Sequence, residues 1–358
     1  MKLEKVITAL KSYVRGNKND QYLYASLKGD VIIFNSRVRI IIEHGSRNTH
    51  IELPLDNAEG ISKHFTFSEH TCGHSWEAKL NIAEAASELP SVVYPEGESV
   101  VIPGNKLDRI TRLTKKVFYG ERATDNLRNA FLIDSAESKL RFITSNGVGI
   151  ALESFPSDVL PEKMYSICYL ATSLLNAFVE KKAKYNLVFG KDSVTFYNRE
   201  TGFLFEYTHK GCYVNENAVN TFINYSIPSA REIDGTAIDR ILACIGEADE
   251  VKPENKVASC IFNFDNKIRT LLINKETRQN TYEIAAYEKA ELQSNEAKKL
   301  TKLESLFNSE ILKSYITYAK QVTSDNRYYI GFAISDPRQA RIVLHSANAY
   351  FTLIPLHH

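Results

Sequence analysis

The chain repeats one pattern along much of its 358 residues: an amphipathic helix followed by three short strands. The copy that begins near residue 105 is the clearest. Over 105–118, Leu107, Ile110, Thr114, Val117 and Phe118 share one helical stripe, and Arg109, Arg112, Lys115 and Lys116 occupy much of the remainder. Strand patterns follow at 127–134, 140–144 and 148–154, separated by Ser-, Asn- and Gly-bearing turns. The order returns three times. A helix over 171–179 precedes strands at 185–190, 193–198 and 202–209; one over 236–245 precedes 257–264, 267–274 and 282–287. A last helix over 309–320 precedes 328–335, 340–345 and 350–354. Helix centres recur roughly every 65 to 75 residues, and the hairpin-length loops predict antiparallel sheets rather than crossovers.

The N-terminal part carries a helix pattern over 3–14, then strands at 22–27, 31–34, 38–43 and 50–53. A second helix is expected over 56–63, although Gly60 interrupts it, so this first pair of units is shortened in its second member. Pro- and Gly-marked stretches at 95–98 and 227–229 divide the chain into 1–98, 99–226 and 227–358. The expectation is an α+β protein of three domains, each with two helix-plus-antiparallel-sheet repeats. A single repeat cannot readily cover its own sheet, whereas a pair can set two helices against a shared core and leave their other faces outward.

Those outward faces are basic. The first helix carries Lys2, Lys5, Lys11 and Arg15 against Glu4, and the helix near 110 carries Arg109, Arg112, Lys115 and Lys116 against Asp108. With 44 Lys and Arg against 43 Asp and Glu, such concentration leaves the rest of the surface acidic. Segregation of this kind is the footprint of a polyanion-binding face. A charge run on one helix is usually a solvated face, but two similar helices from different repeats favour function.

Compartment and chemistry are constrained next. A content of 44% hydrophobic and 24% charged residues excludes disordered and collagen-like chains. Cys72, Cys168, Cys212, Cys244 and Cys260 are odd in number and irregular in spacing, which suits reduced thiols in a cytoplasm. No apolar run approaches the ~18 residues of a membrane span. The N-terminus starts basic, but Lys11 breaks its apolar run and no small-residue cleavage site follows. A cytoplasmic, soluble protein without a membrane partner is expected.

On a strand, alternation would place His70, Cys72 and His74 on one face, and with His64 nearby they could supply a zinc site. The spacing is not that of a zinc finger, and the turn residues of 71–73 weaken the strand assumption, so no metal is expected. Gly147-Val148-Gly149 lacks the third glycine of a dinucleotide loop and is followed by a strand. Gly190-Lys191 lacks the upstream glycine and the following hydroxyl of a phosphate-binding loop. Nothing argues for catalysis or for a cofactor.

A family resemblance rests on five segments. The run from Leu140 through Thr144, Ser145-Asn146-Gly147-Val148-Gly149 and Ile150-Ala151-Leu152 resembles a strand–turn–strand of the bacterial sliding clamp, the beta subunit of DNA polymerase III. Ile102-Pro103 with Leu107 resembles the opening of that family's second domain, and Leu127-Arg128-Asn129-Ala130 one of its strand starts. Phe307-Asn308-Ser309-Glu310-Ile311-Leu312 resembles a third-domain helix entry, and Leu353-Ile354-Pro355-Leu356 the family's closing residues. The matches stand in register across about 99–358; the first domain matches only in general pattern, as in a phage-encoded or otherwise remote clamp.

The resemblance implies a non-enzymatic processivity factor. Two subunits would join head to tail into a ring around duplex DNA and tether the replicative polymerase. Its implied DNA contacts, sequence-independent, are Lys11, Arg15, Arg109, Arg112, Lys116, Lys313 and Lys320 on helices, with Lys18 and Arg122 from loops. Its implied pocket for hydrophobic peptides of the DNA polymerase and clamp loader is formed by Ser145, Gly147, Val148, Gly149 and Ile150 on one side. Pro228, Ile354, Pro355 and Leu356 form the other. Where the family has Asp and His-Arg in the turn, this chain has Asn146 and Val148-Gly149, and it ends in His357-His358, so a different peptide preference is implied. The alternatives are a clamp-like decoy or regulator that binds replication proteins without encircling DNA, and a metal-dependent nucleic-acid enzyme built on His64, His70, Cys72 and His74.

Overall fold

The computed structural model describes residues 93–118, 129–208, 216–223, 230–250, 304–333 and 341–355, with strand segments between 24 and 65 and between 259 and 286. The chain divides into two compact units. The first comprises residues 1–115, 120–138 and 157–213, and the second 116–119, 139–156 and 214–358.

In the first unit, β1 (Tyr24–Ala25), β2 (Asp30–Phe34) and β3 (Val38–Glu43) form an antiparallel meander, with Ile32 facing Tyr24 on one side and Ile41 on the other. The strands β4 (Leu53–Asp56) and β5 (Ser62–Phe65) pair with each other, Leu53 opposite Phe65. The helix expected over 56–63 is therefore not formed: Asp56, Ser62 and Lys63 lie in paired strands. Eight residues are too few to nucleate a helix unaided, and Gly60 costs about a further 1 kcal/mol relative to alanine. The expected helix over 3–14 lies outside the described residues.

From residue 100 each repeat gains an element that sequence periodicity does not reveal, a short strand running straight into the helix. The second pair of repeats comprises β6 (Val100–Pro103), α1 (Gly104–Lys116), β7 (Asn129–Ala136), β8 (Lys139–Asn146) and β9 (Gly149–Pro156), then β10 (Tyr165–Cys168), α2 (Tyr169–Phe178), β11 (Lys184–Phe189), β12 (Ser193–Asn198) and β13 (Phe203–Thr208). A short helix, α3 (Glu216–Phe222), comes next and had no counterpart in the repeat pattern. The last pair comprises β14 (Arg231–Asp234), α4 (Gly235–Glu250), β15 (Ser259–Phe264), β16 (Lys267–Ile273) and β17 (Gln279–Ala286), then β18 (Glu304–Asn308), α5 (Ser309–Val322), β19 (Arg327–Ala333), β20 (Arg341–His345) and β21 (Ala349–Leu353).

The leading strands explain why repeats come in pairs. β6 pairs with β11 of the following repeat, and β10 returns to pair with β7 of the preceding one. The last two repeats do the same: β14 pairs with β19, and β18 with β15. Each repeat thus completes its partner's sheet, so neither is a closed structure alone. Within the first unit the strand order is β1-β2-β3-β13-β12-β11-β6, with Phe205 of β13 opposite Ile40 of β3. Within the second, β8-β9-β21-β20-β19-β14 forms one run and β17-β16-β15-β18 another.

Helix stripes fill the cores. Of the stripe read from sequence, Leu107, Ile110, Thr114 and Val117 are buried, and Leu113 of α1 is buried beside them. Thr111 and Thr114, buried on the same helix, return their hydroxyls to the carbonyls of Leu107 (2.7 Å) and Ile110 (3.0 Å), so their polar atoms are satisfied inside the core. In the first unit Phe131 of β7 stacks on Phe196 of β12, and Phe178 of α2 on Phe203 of β13. In the second, Phe307 stacks on Phe332, and Tyr315 of α5 packs on Phe351 of β21. The start of α5 is capped by Asn308, whose side chain accepts from the Ile311 amide at 3.0 Å; Asp234 accepts from the Ala237 amide at the start of α4 (2.8 Å).

Candidate functional site

The sequence-derived pocket residues that the structure describes all lie in the second unit, at one end of the β8-β9-β21 run. Leu353 of β21 stands opposite Gly149 of β9, and Thr352 opposite Ile150. The pairing extends one residue further, where the Ile354 amide donates to the Val148 carbonyl at 2.8 Å. The β8–β9 turn and the chain leaving β21 are thereby held side by side, bringing together Ser145, Gly147, Val148, Gly149, Ile150, Ile354 and Pro355. Pro228 and Leu356 lie outside the described residues.

Asn146, expected in a turn between strands and a departure from the family's Asp, builds that turn with its side chain. Its side-chain Oδ1 accepts from the amides of Val148 (3.1 Å) and Gly149 (2.8 Å), while its Nδ2 donates to the Val117 carbonyl at 2.8 Å. Both acceptor positions of Oδ1 and one N–H of Nδ2 are used in a fully buried position, which braces the turn. Gly147 takes a left-handed φ of 79° at the exposed tip. Gly149 is constrained by proximity: a Cβ there would lie 2.8 Å from the Thr352 carbonyl oxygen and 2.9 Å from Cε2 of Tyr315. The signal for Asn146 was present in the Ser-Asn-Gly tripeptide, since an Asx side chain bonding two residues ahead is a recurrent turn device.

Burial sorts the group. Ser145, Gly149 and Ile150 are buried and back the site, whereas Gly147 is exposed and Val148, Ile354 and Pro355 are half-buried. The accessible rim is therefore apolar and sits on fixed backbone, an arrangement suited to receiving apolar side chains of a short extended segment. Beneath it, the Tyr315 hydroxyl is fully buried with no hydrogen-bond partner among the described residues, and burial drives its pKa far above the usual tyrosine range. On the opposite face of β21, Tyr350 donates to the carbonyl of Phe222 at 2.7 Å and Arg341 of β20 to that of Thr221 at 3.0 Å, fastening the end of α3 to the sheet.

The candidate DNA contacts divide differently. Lys11, Arg15, Lys18 and Arg122 lie outside the described residues. On α1, Arg112 and Lys116 are exposed and Arg109 is half-buried. Arg112 bonds the buried carboxylate of Asp108, and Lys181, from the turn after α2, reaches the same oxygen at 3.8 Å. On α5, Lys313 and Lys320 are exposed, and Lys320 is paired with Asp239 of α4. The helix α2 carries no charged residue at all. Sequence reasoning passed over Lys181, although the run Lys181-Lys182-Ala183-Lys184 directly behind an uncharged helix marks it.

Among the described residues no group of three or more His, Cys, Asp and Glu could hold a metal ion. His64 lies on β5 opposite Pro54, and His70, Cys72 and His74 lie outside the described residues. No described helix is long and apolar enough to cross a membrane.

Neither the models of known protein families nor the curated proteins give a match to this sequence. Solved structures do match its fold. A sliding clamp, DNA polymerase III subunit beta, from Pseudomonas aeruginosa bound to griselimycin has a TM-score of 0.61 at 12% identity, with 98% of each chain covered. The DNA polymerase sliding clamp of Bacillus subtilis gives the same values. The beta subunit from the DNA polymerase of Streptococcus pyogenes gives 0.60 at 8% identity, again over 98% of each chain. The chain has the α+β fold of bacterial sliding clamps, essentially from end to end.

Proposed function

We propose that this protein is a non-enzymatic DNA sliding clamp: a cytoplasmic processivity factor that closes around duplex DNA and tethers a DNA polymerase through a hydrophobic peptide pocket. The observation that carries the reading is the paired-repeat architecture, matched over 98% of the chain to clamps despite identities of 8–12%. In this reading the chain is organised as domains 1–98, 99–226 and 227–358, and two copies join head to tail. A heterologous contact that closes makes a ring. A ring needs no tight grip, because topology retains it; contacts to phosphates alone, without base readout, leave it free to slide.

The peptide pocket in this reading is the apolar rim of Val148, Ile354 and Pro355 on the Asn146-braced turn, together with Gly147. Pro228 and Leu356 are proposed to complete it. Replacing Ile354 by glutamate keeps the backbone bond to Val148 but puts a charge in the slot. The I354E variant is expected to lose binding of a hydrophobic C-terminal peptide from the cognate polymerase while melting at an unchanged temperature. Retained affinity would move the pocket elsewhere.

A second reading, a clamp fold that binds replication proteins without encircling DNA, draws on the uncharged α2 and on the neutralisation of Lys320 by Asp239. The two separate on topology. A linear duplex ligated into a small circle in the presence of the protein should retain it through a high-salt wash and release it when the circle is cut. Loss of the protein in high salt from intact circles would favour the second reading.

A further inference from the structure

We propose that the second repeat of the pair that begins at β6 supplies its phosphate contact from the α2–β11 turn, through Lys181 and Lys182, with Asp108 as the positioning residue that seats Lys181 beside Arg112. The inference rests on the DNA-binding reading above and names residues that reading did not include.

The helix α2 offers no charge to a phosphate. Its ten residues, from Tyr169 to Phe178, contain no cation, so the surface that its counterpart α1 fills with Arg112 is neutral there. Past Val179 and the exposed Glu180 that follow α2, the chain carries Lys181 and Lys182, both exposed. Their position is fixed by backbone: the Gly104 amide at the start of α1 donates to the Ala183 carbonyl at 2.8 Å, and the Ala183 amide donates to Glu180 at 3.1 Å. The turn after α2 is thus pinned to the first residue of α1.

Asp108 then gathers the charges. Its carboxylate is 7% exposed, and Asn176 of α2 approaches its Oδ1 at 3.4 Å. Its Oδ2 takes Arg112 and lies 3.8 Å from Lys181 Nζ. One buried anion therefore holds two cations from two repeats, and the trio carries a net positive charge. Arg112 and Lys181 keep 46% and 61% of their side-chain surface in solvent, with donors left over after Asp108 is served. Two flexible side chains are pre-ordered by the carboxylate, so a phosphate that accepts from both incurs less ordering entropy. Asp108 also competes with that phosphate, which keeps the contact weak enough for sliding.

The test is equilibrium binding of the full-length protein to a fluorescent linear duplex across a salt series. The K181Q/K182Q double variant is expected to bind roughly fivefold to tenfold more weakly near 0.1 M salt, with a slope of log affinity against log salt reduced by about 1 to 2. K181R/K182Q should bind more tightly than K181Q/K182Q, recovering the part of the affinity that the charge at position 181 supplies. R112Q serves to test the DNA reading itself, and K163Q, which removes an exposed lysine paired with Asp192, serves as the charge control. Weakening by R112Q but not by K181Q/K182Q overturns this inference and leaves the reading intact. No weakening by either overturns both. Equal weakening by K163Q reduces Lys181 and Lys182 to general attraction and overturns the inference as well.

Discussion

Tyr315 and Gly149 meet beneath the candidate peptide pocket, and their substitution should act in opposite directions. The tyrosine hydroxyl is buried without a partner among the described residues, so it is desolvated with nothing to offset the cost. Tyr315→Phe keeps the ring against Phe351 and removes that oxygen. It should raise the unfolding free energy by about 1 kcal/mol in denaturant titration; a loss would mean that the hydroxyl has a partner. Gly149→Ala drives a methyl to 2.8 Å from the Thr352 carbonyl, a backbone atom that cannot swing aside. Overpacking of this kind costs about 1–3 kcal/mol, and here it should also part β9 from β21 at the end that carries Ile354. Peptide affinity should fall with stability in that variant, whereas in Tyr315→Phe it should hold. The candidate pocket residues came from the family resemblance, carried by a contiguous turn and a strand end, which the structure sets side by side. Tyr315 was not legible in the sequence, since its meeting with Gly149 joins positions 166 residues apart through packing alone.

At the scale of elements, the helices that follow the repeat pattern from residue 104 onward were legible, whereas the one expected over 56–63 was not formed. The stripe of Leu107, Ile110 and Thr114 places α1 within two residues of its observed bounds, and β3 and β12 match their expected ranges. The leading strands β6, β10, β14 and β18 were hidden because four or five residues running straight into a helix are too few to show an alternation of their own. Their exchange between repeats is a non-local pairing that no local pattern encodes. The short helix α3 was hidden for a related reason: seven residues give too few turns for a stripe, and its attachment comes from Tyr350 and Arg341 in distant strands. These two bonds satisfy carbonyls at its C-terminal end, with the Arg341 guanidinium also 5.4 Å from the Phe222 ring. Tyr350→Phe should therefore loosen α3 without disturbing the sheet. Hydrogen exchange across 216–223 should accelerate several-fold while β20 and β21 stay protected; uniform acceleration would mean that α3 and the sheet open as one unit.

For the whole molecule, the strand orders leave edges to be accounted for. Among the described strands, β17 forms one end of the β17-β16-β15-β18 run and presents eight residues, from Gln279 to Ala286, with one side unpaired. A long unpaired edge invites another strand, and proteins rarely leave one open. In the ring, we propose this edge as the one that meets the N-terminal region of a second copy, so that closure and edge protection would be the same event. The solution mass should accordingly be twice the 40.5 kDa of the chain at micromolar concentration. Proline separates this edge from other contacts. In an antiparallel ladder neighbouring amides point alternately to the paired and the open side, so of Thr281→Pro and Tyr282→Pro one removes only an outward donor and leaves the β16 pairing intact. That variant should remain folded by circular dichroism and run as a 40.5 kDa monomer in light scattering. A folded variant from each position that still has the doubled mass would mean that β17 is not where the copies join, and the head-to-tail closure would have to be sought on another edge.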